Sequence, residues 1–271
     1  MRNEDDALER RISTELDALA PVFDEATLWA ARFGILLLRE VEIRPSVRGL
    51  DLGCGTGFPL LELAALHGPE STFVGVDTWP RALDVVREKV RLHRVTNVSV
   101  NLADACSLPL PDRSFDLVVS NLGVNNFHDP AAAAREAFRV CKPGGRLAVT
   151  TNPIGTMPEV YDRLREVAAQ IAPGSADALR VQEQHRGSID ECERLLTHAG
   201  FAIQRRATEE FAMTFANGRA LFRHVLVACF LEGWRSALAD AATEIFRAAE
   251  EALTDPIRTT TTMLYLEGVR R

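Results

Sequence analysis

Long apolar runs are scarce in this chain. The longest, Ile35 to Leu38 and Val225 to Leu231, fall far short of the roughly 18 residues that a membrane-spanning helix needs. Paired cysteines are missing as well. Cys54, Cys106, Cys141, Cys192 and Cys229 are scattered, with no C-x-x-C pair and no His/Cys ligand spacing, which argues against a disulfide framework and a structural zinc site. Positive charge is in deficit: 31 Lys and Arg face 38 Asp and Glu, a net charge of -7 that disfavours nucleic acid as a partner. The opening residues Met1 to Asp6 are acidic where a signal peptide is basic and then apolar, so the expected location is cytoplasmic. Internal repeats and low-complexity linkers are absent too. What is present, 271 residues of which 46% are apolar and 25% charged, suits one large domain or a domain with a cap.

Leu8, Ile12, Leu16 and Leu19 recur at helical spacing, and a second apolar segment runs from Leu28 to Val41, so residues 1–44 read as an N-terminal helical cap. Strand and helix signals then alternate: Val47–Leu52, a helix from Pro59 to His67, Thr72–Val76, a helix from Pro80 to His93, Val98–Leu102, and Phe115–Ser120. Asp129-Pro130 reads as a helix cap and first-turn proline, and Lys142-Pro143-Gly144-Gly145 as the stop that launches a strand from Arg146 to Thr151. This is the rhythm of a parallel sheet covered on both faces. The rhythm breaks at 153–187, where Val160, Leu164, Val167 and Ile171 form a helical stripe. Ser188 to Glu191 resembles a capping box, Phe201–Arg206 reads as a strand with an extension through Phe211, Met213 and Phe215, residues 217–253 read as largely helical, and Thr259–Val269 as a closing strand. The expected organisation is a domain over 45–271 with helical insertions at 153–187 and 217–253.

The most telling stretch is Asp51-Leu52-Gly53-Cys54-Gly55-Thr56-Gly57, three alternate glycines behind a predicted strand. Asp77 ends the next strand, the distance at which a parallel neighbour brings a carboxylate to a ribose diol. The dinucleotide fingerprint is G-x-G-x-x-G, whereas here the spacing is G-x-G-x-G. In this the sequence resembles the class I S-adenosylmethionine-dependent methyltransferases, whose first motif is [D/E]-x-G-x-G-x-G. The resemblance covers about residues 46–152 and extends in order through Asp77, Asp104, Phe115–Asn121 and Lys142–Arg146.

The resemblance implies an α/β, Rossmann-like, doubly wound sheet of seven mostly parallel strands with an antiparallel last strand, plus helical additions. It implies S-adenosyl-L-methionine as cofactor. Asp77 then holds both ribose hydroxyls, Asp104 accepts from the adenine amino group with the Ala105 backbone beside it, and Gly53, Cys54, Gly55 and Gly57 give close backbone approach. Asp51 is the acid near the methionine end, and the backbone at Asn121 faces its amino group. Thr78 or Trp79 covers an adenine face, unless Trp79 packs under the following helix. Each acid also has a plainer reading: Asp77 as a helix cap, Asp104 as a turn residue.

Methyl transfer is an in-line displacement, and alignment with exclusion of water carries much of it. The [D/N/S]-P-P-[Y/F] motif of amino methyltransferases is here Asn121-Leu122-Gly123-Val124, without the prolines and the aromatic residue, which disfavours adenine or glutamine as acceptor. The catalytic candidates are Asn125, Asn126 and His128 in the same loop; His128 is either a general base or an exposed residue before the cap Asp129. Asn152 is either at the ligand edge or a turn residue before Pro153. Phe211, Met213, Phe215, Phe222 and Phe230 are either an apolar acceptor pocket or core. No metal is expected. The expected partner is a small, partly apolar acceptor methylated at carbon or oxygen, with no membrane span and with a homodimer left open. Two other readings remain: a regulatory module that binds the cofactor without transfer, and an NAD(P)-dependent oxidoreductase, against which the glycine spacing and the missing Tyr-x-x-x-Lys argue.

Overall fold

The computed structural model describes residues 20–26, 28–224 and 233–271. The helix expected through Leu8 and Leu19 lies outside these residues, as do Cys229, Phe230 and the rest of 225–232. Seven strands form one sheet in the order β3-β2-β1-β4-β5-β7-β6. They are β1 (Arg48–Leu52), β2 (Thr72–Asp77), β3 (Val98–Leu102), β4 (Phe115–Asn121), β5 (Cys141–Thr151), β6 (Phe201–Phe215) and β7 (Ile257–Arg270). β1 pairs in parallel with β2 on one side and β4 on the other, and β7 runs antiparallel to β5. The Rossmann-like fold that the motifs imply is the one observed, with six parallel strands and an antiparallel β7.

Two compact units make up the described chain: 20–152 with 189–208 and 263–271, and 153–188 with 209–262. In the first, the central strands are apolar on both faces, as parallel strands under helices must be. Leu50, Phe115, Val118 and Leu147 are buried in one core with Leu264 and Leu266 of β7. Helix α1 (Phe23–Ala26) precedes α2 (Leu28–Glu40), which buries Phe33, Leu36 and Leu37 and packs on β4 and β5. Helices α3 (Leu60–His67), α4 (Pro80–Leu92) and α5 (Pro130–Val140) are the crossovers. α5 begins as Asp129-Pro130 predicts: the Asp129 carboxylate accepts from the Ala132 N–H at 2.8 Å, and Ala133, Ala137 and Val140 form the buried stripe.

The second unit holds α6 (Pro158–Ile171) and α7 (Pro173–Gln184), which pack on each other. Pro173 separates them because it cannot donate to the preceding turn. Tyr161 donates to Gln182 Oε1 at 2.6 Å and meets Trp234 edge-on at 5.4 Å. α8 (Ile189–Ala199) belongs to the first unit and leads into β6, of which 201–208 belong to the first unit and 209–215 to the second, and α9 (Gly218–Phe222) and α10 (Ala242–Ala252) complete the helices named here.

Two strands differ from the sequence reading by more than two residues. β5 starts at Cys141, so Lys142 to Gly145 lie inside it as an irregularity where the register jumps from Phe115↔Cys141 to Leu117↔Arg146. β6 is one strand of 15 residues, because Ala207 to Glu210 continue the extended chain with alternating exposure although their polarity reads as a break.

Phe115 is fully buried and Ile35 is 58% exposed. Phe115→Ala is expected to cost about 3–5 kcal/mol, from lost transfer energy and a cavity, and Ile35→Ala less than about 0.5 kcal/mol. Urea unfolding midpoints of the two variants check this.

Candidate active site

Because β1, β2, β3 and β4 are parallel, the segments that follow them all emerge at one sheet edge. The strand order reverses between β1 and β4, and open α/β sheets bind ligands at such a switch point. Gly53 to Gly57 leave β1 there, Thr78 and Trp79 follow β2, Asp104 and Ala105 follow β3, and Asn121 ends β4. The turn is held from below: the Gly53 and Cys54 N–H groups both donate to Val76 O, at 2.9 and 3.1 Å. Its glycines have φ of 74°, 50° and 104°, values that L side chains rarely adopt. A Cβ on Gly55 would meet nothing within 4 Å, so the turn offers open backbone at this position. At Gly123, by contrast, a Cβ would lie 2.5 Å from Ser120 Oγ and 2.8 Å from Leu52 O, which is how closely the β4 loop presses on the end of β1.

Two carboxylates meet under this turn. Asp51 is fully buried, and neither oxygen has a hydrogen-bond partner among the described residues. Burial first, and then the negative charge of Asp77, push its pKa up to about 8. Asp77 is engaged on both oxygens: Oδ2 accepts from Gly55 N–H at 2.8 Å and Oδ1 from Trp79 N–H at 2.9 Å. It therefore ties the glycine turn to the entrance of α4, and each oxygen keeps a further lone pair for a hydroxyl donor. Cys54 is a buried thiol held in its neutral form by burial and by Asp51.

A contact that no sequence spacing announces reaches the turn from the N-terminal side. Thr56 Oγ1 donates to Asp24 at 2.5 Å, and Lys89 Nζ bonds both Asp24 and, at 2.7 Å, Thr56 O. One residue earlier, Phe23 meets the Trp79 ring edge-on at 5.6 Å. The Trp79 side chain is therefore packed by an aromatic neighbour at the rim of the β2 edge. Phe58, just past the turn, lies against Gly34 of α2, where a Cβ would approach its ring to 2.1 Å.

The β4 loop holds the remaining candidates. Asn121 Oδ1 accepts from Thr150 Oγ1 at 2.7 Å. Asn125 bridges to β5: its Oδ1 accepts from Thr151 Oγ1 at 2.7 Å and its Nδ2 donates to Asn152 Oδ1 at 2.6 Å. Asn126 Nδ2 donates to Leu122 O, a local loop bond. These amides hold the loop to its own frame. His128 is 71% exposed and stands 3.5 Å from Asp104 Oδ2, in the loop that follows β3. Asp104 Oδ1 accepts from the Cys106 N–H at 2.8 Å, which holds its carboxyl below the usual range. The sequence reading passed over Phe127, whose ring lies 3.4 Å from a Cβ built on Gly53; an aromatic residue amid polar loop neighbours was its signal.

In the helical unit, Phe211, Phe215 and Phe222 are buried, and Phe222 packs on Phe246 at 6.0 Å. Met213 is half-buried.

Comparison with known proteins agrees with this geometry. A family model described as a methyltransferase domain matches residues 50–149. A demethylmenaquinone methyltransferase of Staphylococcus aureus (strain JH9) is 31% identical over 151 residues, 55% of this chain and 60% of the relative. The chain thus spans about three-fifths of the length of that relative. The YcgJ protein from Bacillus subtilis shares the fold at a TM-score of 0.61 and 21% identity, covering 89% of this chain and 99% of that one. A SAM-dependent methyltransferase from Aquifex aeolicus does so at 0.51 and 17%, covering 86% and 88%. Residues 50–149 thus match a methyltransferase domain, and the glycine turn and the order of the strands are those that the resemblance to class I S-adenosylmethionine-dependent methyltransferases implies.

Proposed function

We propose that the chain transfers a methyl group from S-adenosylmethionine to a small, partly apolar acceptor at carbon or oxygen. The observation that carries this reading is the buried, unpartnered Asp51 beside Asp77 under an open glycine turn. A buried carboxylate with no partner is costly, and a cationic ligand lowers that cost. The cofactor fits: it carries a sulfonium and an ammonium group, and it supplies an electrophilic methyl group.

In this reading, Asp77 accepts from the ribose hydroxyls with its remaining lone pairs, Asp104 accepts from the adenine amino group beside the Ala105 backbone, and Thr78 and Trp79 border the adenine. Gly55 presents bare backbone, Gly53, Cys54 and Gly57 shape the turn around it, and Asp51 balances the positive methionine end. The work of the chain is then to orient the donor and exclude water, which suits an in-line displacement. The Staphylococcus aureus relative is named for demethylmenaquinone, which supports an acceptor of small-molecule class. Asn125 and Asn126 keep the β4 loop in place, and His128 stands beside Asp104.

A second reading, binding without transfer, draws on the same amides, since the Asn125 and Asn126 side chains are already engaged within the loop. Labelled donor separates the two. Methyl label passing to a quinone-type or phenolic acceptor supports the enzyme, and binding with no transfer to any acceptor in a small-molecule extract favours the module.

Asp77→Ala is expected to weaken S-adenosylhomocysteine binding by at least about tenfold, roughly 1.4 kcal/mol, with the unfolding transition retained. Calorimetric titration reads this, and undiminished affinity would remove Asp77 from the site. Asp51 gives a pH test. Its folded pKa of about 8 lies above the unfolded carboxylate value, so the folded state holds the extra proton. The stability it contributes is full below about pH 4 and is lost as the pH rises toward 8. Asp51→Asn is expected to flatten the fall in Tm across that window, and an unchanged profile contradicts the assignment.

A further inference from the structure

The fold assembles three ligand types that the sequence keeps apart. One ligand atom each from Asp104, Cys106 and His128 lie within 4.8 Å of one another. Asp104 and Cys106 come from the loop after β3, whereas His128 arrives from the loop after β4. Asp104 uses Oδ1 for the Cys106 N–H, which leaves Oδ2 toward His128 Nδ1 at 3.5 Å. The Cys106 thiol is aimed by a bond to Asp129 O at 3.3 Å.

An exposed Asp–His pair alone is an ordinary rim contact worth little. The thiol in the same triangle changes its chemistry, because carboxylate, imidazole and thiolate are the donors that zinc takes. Zinc bonds of about 2.0–2.3 Å set tetrahedral ligand atoms about 3–4 Å apart, so the triad closes on an ion with shifts of about 1 Å. His128 is exposed enough to make that movement.

We propose that Asp104, Cys106 and His128 form a zinc-binding site with water as fourth ligand. As the Sγ–Zn bond forms, the Cys106 thiol gives its proton to solvent, and no redox partner is involved. Resting on the adenine reading of Asp104, a second consequence follows: the same carboxylate cannot serve zinc and the cofactor at once, so the two compete.

Calorimetric titration of the full chain with zinc chloride tests the site, against Cys106→Ser and His128→Ala. One saturable site is expected, weakened by at least about tenfold in each variant, since even outer partners of a metal ligand are worth that much. No site in the unaltered chain, or one equally tight in either variant, overturns the proposal. His128→Ala decides alone if Cys106→Ser disturbs folding, because the histidine is surface-exposed. Repeating the S-adenosylhomocysteine titration with zinc present separates the two readings. Weakened cofactor binding supports competition; zinc bound with cofactor affinity unchanged leaves the zinc site standing and removes Asp104 from adenine recognition.

Discussion

Two carboxylates on adjacent parallel strands, one of them buried without a hydrogen-bond partner among the described residues, constrain the sheet edge around them. Asp51 and Asp77 lie close enough for the charge of one to raise the pKa of the other. A protein interior tolerates that arrangement only by protonating one acid or by meeting it with positive charge. Asp77 is stabilised by the N–H groups of Gly55 and Trp79, so the unmet demand rests on Asp51. A site poised in this way favours a cationic ligand over an anionic one. A phosphate-bearing dinucleotide is a poorer match for it than a sulfonium nucleoside.

The surrounding structure keeps that pair in place. Val76 O takes two N–H groups of the glycine turn, and Ser120 Oγ bonds Leu52 O at 2.8 Å across the switch point. Asn125 fastens the β4 loop to the end of β5, and Asp24 with Lys89 fastens the turn to the N-terminal segment. Each link uses a polar group near the sheet edge where β1 and β4 diverge, so several bonds hold the turn and the β4 loop at that edge. Variation for the acceptor is left to other parts of the chain.

The central sheet was legible in the sequence because parallel strands are apolar runs, and Gly, Pro and Asp mark the turns between them. The glycine turn and Asp77 were legible because their spacing follows from one βαβ unit. Contacts between distant segments were not. Asp24 sits 32 residues from Thr56 and 65 from Lys89, and nothing in its surroundings marks it as a latch. Asp104, Cys106 and His128 escaped a search for ligand spacing because two separate loops bring them together. Asn125 read as a catalytic amide; its bonds to Thr151 and Asn152 emerge only once β4 and β5 pair in register. The polar middle of β6 hid a continuous strand for a related reason, since an exposed strand segment lacks the apolar signal of a buried one.

The claim that Asp51 is the counter-charge for a cationic ligand makes the binding reaction itself a titration. S-adenosylmethionine binding measured calorimetrically near pH 7, in buffers of differing ionisation enthalpy, counts the protons exchanged. The account predicts net proton release, as Asp51 gives up the proton that burial and Asp77 hold on it in the unliganded protein. Binding without release, or with uptake, would contradict it.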